Sequence, residues 1–201
     1  MSSSLATNEI EDVPDISIDW YRAVTGLAHD APGWVQALAD VATEAVILVF
    51  GALVLANLWR TRRADRRLRV LAFAAPAVTV LAYAISEVTK TFVEQERPCR
   101  EVRNIVATIA ECPEPGDWSF PSNHSTIAAA AAVGLAVAWR RLAIIVALLA
   151  VLEAFLRVFV GVHYPHDVIA GLLLGSIVAA AGMALTTALT KTIRRPAAQR
   201  R

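Results

Sequence analysis

Five apolar runs separated by short polar breaks set the pattern of the chain. They fall at 41–59, 71–88, 122–139, 142–162 and 168–189. With a few polar residues allowed, each approaches the roughly 20 apolar residues that a membrane-crossing helix needs. Composition points the same way: 56% of the residues are hydrophobic, 18% are charged, and the mean hydropathy is +0.51. An ordinary soluble domain is excluded. The expected fold is all-α, a polytopic membrane bundle of about five transmembrane helices. The expected segments are an acidic N-terminal stretch 1–40, one membrane domain 41–195 and a basic tail 196–201.

The polar breaks are asymmetric in charge. Residues 60–69 hold six arginines and one acid, the break after the third run holds Arg140 and Arg141, and the C-terminal end holds Lys191, Arg194, Arg195, Arg200 and Arg201. These are thirteen of the nineteen bases, and five spans put them all on one side. That side is expected to be cytoplasmic. The N-terminal stretch, with seven acids (Glu9, Glu11, Asp12, Asp15, Asp19, Asp30, Asp40) against Arg22 alone, then faces outward. So do the long break 99–120 and the turn at 161–167. The N-terminus lacks the basic region and short apolar core of a cleaved signal. Residues 15–27 read as an interfacial helix with Ile16, Trp20, Val24 and Leu27 on its apolar side, or else as a disordered tail; the helix is the expected form. The basic breaks fit topology and contact with anionic membrane lipids rather than nucleic acid. No repeat, glycine-rich phosphate loop or dinucleotide fingerprint occurs.

Polar residues within or beside the runs gather toward the outer side. The second run, which Pro76 is expected to kink, ends near Lys90. Arg97 follows seven residues later, two turns on if the helix continues, and Pro98 then discourages helix. Such cations either grip an anion or snorkel. Ser122 is a candidate N-cap for the third span, where free N–H groups bind anions, and His124 lies in the first turn. The third span runs on through small residues, 128–132 and Gly134. The fourth run carries Glu153 and Arg157 four apart. Charges inside a span suggest function, with Glu153 neutralising and aiming Arg157; a purely structural pair is the alternative. The fifth run is uncharged, and Gly171, Gly175 and Gly182 are expected packing sites. Between the last two runs, His163 and Asp167 stand four apart and Pro165 suits a first helical turn, so Asp167 would steer His163 as a nucleophile. An ordinary polar turn is the alternative. Glu44 and Asn57, in the first run, are assigned no role.

Two histidines, a carboxylate and three cations at one face make a set for phosphoryl transfer through histidine. Lys90-x6-Arg97-Pro98, Pro121-Ser122-Asn123-His124 and Arg157-x5-His163-x3-Asp167 resemble, in order, spacing and placement, the three signature motifs of the type 2 phosphatidic acid phosphatase (PAP2) superfamily. Motifs and spans together cover roughly 41–189. The resemblance implies an integral-membrane phosphatase that needs no metal or other cofactor. His163 would attack phosphorus, and Asp167 would fix its tautomer. His124 would protonate the leaving oxygen and then help activate water. Lys90, Arg97 and Arg157 would hold the phosphate oxygens, aided by Ser122 and the helix N-terminus.

Two positions depart from the family pattern. Asn123 stands where glycine is usual; asparagine tolerates left-handed backbone, and its side chain would enter the phosphate site. Leu156 stands where serine is usual, which removes a hydroxyl. A polar residue before His124 is similar to the branch acting on polyprenyl diphosphates, so the expected partner is a lipid phosphate, undecaprenyl or decaprenyl diphosphate first. Phosphatidate or phosphatidylglycerophosphate is the alternative. Outside the enzyme class stand an anion transporter, which would more often show repeated halves, and a lipid-binding protein without activity. A Zn²⁺ site at His124, His163 and Asp167 is disfavoured by the three nearby cations.

The only two cysteines, Cys99 and Cys112, share the long outer break. An oxidising compartment favours a disulfide between them; two free thiols are the alternative.

Overall fold

The computed structural model describes residues 13–102 and 108–192. Glu9, Glu11, Asp12, Arg103, the bases from Arg194 onward and the 196–201 tail lie outside the described residues. Among the described residues the regular structure is all helical: α1 (Asp15–Asp30), α2 (Gly33–Thr61), α3 (Arg66–Val93), α4 (Pro98–Glu101), α5 (Asn123–Ala138), α6 (Ala143–Phe159) and α7 (Pro165–Thr192), with a 3-10 turn at Arg140–Leu142.

Four stretches are long and apolar enough to cross a membrane: Gly33–Thr61, Arg66–Glu101, Arg140–Phe159 and Pro165–Lys191. The fifth expected span, α5, is shorter at 16 residues, about 24 Å of helix against a hydrocarbon core of about 30 Å. Its position explains this. α5 packs against α2, α3, α6 and α7, and most of its side chains are buried, so protein rather than lipid surrounds it. The first span also begins earlier than expected, at Gly33 after Pro32, inside the stretch read as N-terminal.

Small residues make the centre possible. A Cβ on Gly134 would come within 2.9 Å of the Ala75 Cβ. One on Gly171 would lie 2.5 Å from the Ser122 carbonyl oxygen, and one on Gly175 would clash with the Thr126 carbonyl. Without a hydrophobic drive between helices in lipid, such close van der Waals packing holds the bundle together. The outer faces, including Leu48, Leu55, Phe73, Phe92, Ile144, Leu148, Ile177 and Leu185, are exposed. That is the inverse of a soluble surface.

Pro76 lies inside α3, which continues through it. α3 does not reach Arg97. It ends at Val93, where Glu94 adopts a left-handed backbone (φ 49°), and Arg97 becomes the residue preceding α4. The expected two-turn helical link between Lys90 and Arg97 is therefore broken by irregular backbone over residues 94–97. Asn57, assigned no role from the sequence, is fully buried, and its Oδ1 accepts from Arg60 Nη2 at 3.0 Å.

α1 is a helix docked on α6 and α7. Ser17, Ile18, Tyr21, Thr25 and Ala28 face the protein, whereas Ile16, Trp20 and Leu27 point away and are exposed. Its Tyr21 hydroxyl donates to the Gly161 carbonyl at 2.8 Å. Gly161 has φ +91°, a conformation that glycine adopts without steric cost. α1 therefore braces the turn that carries His163.

Candidate active site

The site forms where three helix ends meet. α7 starts at Pro165, where the missing N–H is harmless. From the first turn of α7, Asp167 reaches back: its Oδ2 accepts the Tyr164 backbone N–H at 2.8 Å, the acidic half of a capping box. The same oxygen accepts the Ser119 hydroxyl at 2.5 Å and lies 3.3 Å from His163 Nδ1. Helix capping and histidine orientation thus use one buried carboxylate. Its Oδ1 stands 3.1 Å from His166 Nε2 but receives no hydrogen bond.

His163 is buried. Its other nitrogen, Nε2, lies 3.1 Å from Arg97 Nη1. Guanidinium has donors only, so Nε2 carries the lone pair and Nδ1 the proton that Asp167 receives. Burial, followed by the charges of Arg97, Arg157 and Lys90, holds the imidazole pKa well below 6.5.

Arg97 is clamped at every nitrogen. Nε donates to the Asp117 carbonyl (2.8 Å), Nη2 to the Asp117 carboxylate (2.9 Å), and Nη1 also to the Val162 carbonyl (3.0 Å). Lys90 Nζ meets the same Asp117 Oδ1 at 3.0 Å. Burial alone would raise the Asp117 pKa, but hydrogen bonds and charge from Arg97 and Lys90 outweigh it and hold the carboxyl below its ordinary value.

α5 is N-capped by Ser122, whose hydroxyl accepts the Ser125 N–H and whose own N–H donates to the Asp167 carbonyl at 3.1 Å. That bond ties the start of α5 to α7. The Asn123 side chain turns toward α3, the helix that carries Lys90: its Oδ1 accepts from Ser86 at 2.7 Å and its amide donates to Glu87. His124 Nε2 lies 3.3 Å from Glu44 Oε1, so Glu44, assigned no role from sequence, stands beside a candidate acid. Arg157 and Glu153 make no direct ion pair. Thr43 stands between them, accepting from Arg157 Nη1 (3.1 Å) and donating to Glu153 Oε1 (3.3 Å). Arg157 Nε and Glu153 Oε2 are buried without partners. Glu153 thus meets Arg157 through a hydroxyl that α2 inserts at that level, and Arg157 Nη1 also lies 3.9 Å from Glu44 Oε1.

Asp117, Ser119, Thr43 and Glu44 were not found by sequence reasoning. Ser119 lies 48 residues from Asp167 and Glu44 lies 80 from His124, and no short-range spacing reports such pairs. His166, also given no role from the sequence, meets Ser17 Oγ at 2.7 Å and the Gln95 amide with its ring. Cys99 and Cys112 are bonded, with Cα atoms 6.0 Å apart. Among the described residues no three His, Cys, Asp or Glu side chains are grouped to hold a metal ion.

The family model of the PAP2 superfamily matches residues 71–191. An undecaprenyl-diphosphatase of Sulfolobus acidocaldarius is 42% identical over 98 residues, 48% of this chain and 46% of that one, so the chain matches about half of that relative's length. Undecaprenyl-diphosphatase BcrC of Bacillus subtilis is 29% identical over 79% of this chain and 78% of its own. The decaprenylphosphoryl-5-phosphoribose phosphatase of Mycobacterium tuberculosis is 35% identical over 65% and 68%. Two solved structures share the fold: a PAP2-type phosphatidylglycerolphosphate phosphatase from Bacillus subtilis (TM-score 0.61, 22% identity, 90% of each chain) and LpxE from Aquifex aeolicus (TM-score 0.64, 23% identity, 87% of this chain and 98% of that one). The class is that of the multi-pass helical membrane phosphatases. The chain belongs to the PAP2 superfamily.

Proposed function

We propose that this chain hydrolyses a polyprenyl diphosphate at the outer membrane face through a phosphohistidine. The observation that carries this reading is His163, held with Nδ1–H toward Asp167 and its Nε2 lone pair toward Arg97. Nε2 attacks the terminal phosphorus, and the bond from phosphorus to the bridging oxygen breaks. His124 protonates that oxygen, releasing polyprenyl monophosphate. Water then gives its proton to His124 and attacks the phosphoryl group, the P–N bond breaks, and inorganic phosphate leaves. Lys90, Arg97 and Arg157 stabilise the charge on the phosphoryl oxygens, while Glu44 supports the imidazolium of His124. No step draws on a metal.

The substrate class rests on two kinds of relative: undecaprenyl-diphosphatases and a phosphatase acting on a decaprenyl-linked sugar phosphate. The latter supports a second reading, a phosphomonoester on a polyprenyl carrier. Phosphatidate and phosphatidylglycerophosphate rank behind both. The outer face is supported by the arginine-rich 60–69 and 140–141 breaks at the opposite ends of the spans, and by the disulfide beside the site. In this reading the exposed Ile16, Trp20 and Leu27 of α1 rest in the outer interface.

Phosphate release from a panel of detergent-solubilised lipid phosphates, with and without EDTA, tests the proposal. Undecaprenyl or decaprenyl diphosphate should be hydrolysed fastest, and chelation should leave the rate unchanged. A rate lost to EDTA and restored by Zn²⁺ or Mg²⁺ would rule out the metal-free mechanism, and a preference for phosphatidate would rule out the polyprenyl assignment.

A further inference from the structure

Lys90 and Arg97 already hold an anion, and it comes from this chain. Asp117 Oδ1 accepts from Lys90 Nζ at 3.0 Å and from Arg97 Nη2 at 2.9 Å. The two cations are buried, with side chains 5% and 4% exposed, whereas the carboxylate is 50% exposed. Buried cations are costly when unpaired, so an anion is needed at this position whenever the bundle is folded. The carboxylate supplying it sits on the loop between α4 and α5, after Gly116 with φ +91° and before the Ser119 N–H bond to the Gln95 carbonyl. Arg97 meanwhile donates through Nη1 to His163 Nε2. One guanidinium thus joins the carboxylate to the attacking nitrogen.

We propose that Asp117 is an affinity-determining residue that competes with phosphate for its own binding position. The substrate phosphate displaces the carboxylate from Lys90 Nζ and Arg97 Nη2, and the carboxylate retakes them as inorganic phosphate departs. Exchanging one anion for another keeps both cations paired throughout. It also draws the guanidinium onto the phosphoryl oxygens and away from the Nε2 lone pair, so binding and release of the nucleophile are one event. Weaker ground-state binding of phosphate favours turnover over retention of product. This inference rests on the phosphatase reading of the same site.

The test is inorganic phosphate binding, by calorimetry on the full chain in detergent micelles. Asp117→Asn removes the competing charge at constant size and should tighten phosphate binding by about 3- to 30-fold, as expected for two partly exposed charge pairs. Asp117→Glu keeps the charge and should stay within about threefold of the unaltered protein. Unchanged or weaker binding by Asp117→Asn overturns the proposal. A second measurement uses the unaltered chain: hydrogen exchange of the Gly116, Asp117 and Trp118 amides, of which Asp117 N–H donates to the Glu114 carbonyl at 3.1 Å, should speed up at saturating phosphate, and slower or unchanged exchange overturns it. Hydrolysis of lipid phosphates by a chain whose Asp117→Asn variant binds phosphate no tighter would sink the role of Asp117 alone. Neither hydrolysis nor phosphate binding by the unaltered chain would sink both readings.

Discussion

Arg97 Nη1 and His163 Nε2 lie 3.1 Å apart, joining residues 66 positions distant in the chain. The contact defines which imidazole nitrogen has the lone pair, because the guanidinium only donates. It also places a fixed positive charge beside the atom assigned to attack phosphorus.

His163→Ala should lower turnover by about 10³-fold or more, as loss of a nucleophile does. Rapid quenching with ³²P-labelled substrate should trap label on the unaltered chain and none on the variant. His124→Ala should slow the reaction by roughly 10²–10⁴-fold through lost proton transfer, and a leaving group of lower pKa should recover part of that loss. Near-native activity of His163→Ala would refute the covalent route.

The depressed pKa of His163 has a measurable consequence. Burial comes first, and the neighbouring cations add to it, so the ring stays neutral below the ordinary 6.5. Because the folded value lies below the unfolded one, the unfolded chain takes up the proton first. Stability from this group is therefore complete above about pH 6.5 and declines below it, by up to about 1.4 kcal/mol per pH unit. The chain has four histidines, so the ring signal missing from the His163→Gln NMR spectrum identifies His163. That signal should titrate well below the ordinary 6.5; a midpoint near 6.5 would contradict the depressed pKa.

Thr43 links Arg157 to Glu153 inside the bundle. Thr43→Val keeps the shape and removes the hydroxyl, leaving buried polar groups unpaired at a cost of about 1–3 kcal/mol. Thermal unfolding in detergent should show the loss, and kcat should fall as Arg157 loses its orientation. Thr43→Ser should restore both. If Val and Ser variants behave alike, the hydroxyl relay has no such role.

Reduction of the Cys99–Cys112 bond should destabilise the fold by up to about 3 kcal/mol in the chain-entropy view. Mass spectrometry with alkylation before and after reductant checks the bond. Thiols that alkylate in protein purified under non-reducing conditions would remove it, along with its support for an outward-facing loop.

The apolar runs alone determined an all-helical membrane bundle, because a backbone in lipid must satisfy its own hydrogen bonds and a helix does so within one segment. The motif spacings likewise singled out Lys90, Arg97, His124, Arg157, His163 and Asp167, since each spacing is local enough to read along the chain. Helix lengths were less legible. α5 is short because its neighbours enclose it, and α3 stops before Arg97 because Glu94 turns the backbone into the left-handed region. Neither fact shows in hydropathy. What only the tertiary structure decided is which groups share the site from far away: Asp117 on both cations, Ser119 on Asp167, Thr43 between Arg157 and Glu153, Glu44 beside His124. These contacts depend on how helix ends come together when glycines let α5 and α7 approach, and a pattern read along one strand of sequence contains no distance between helices.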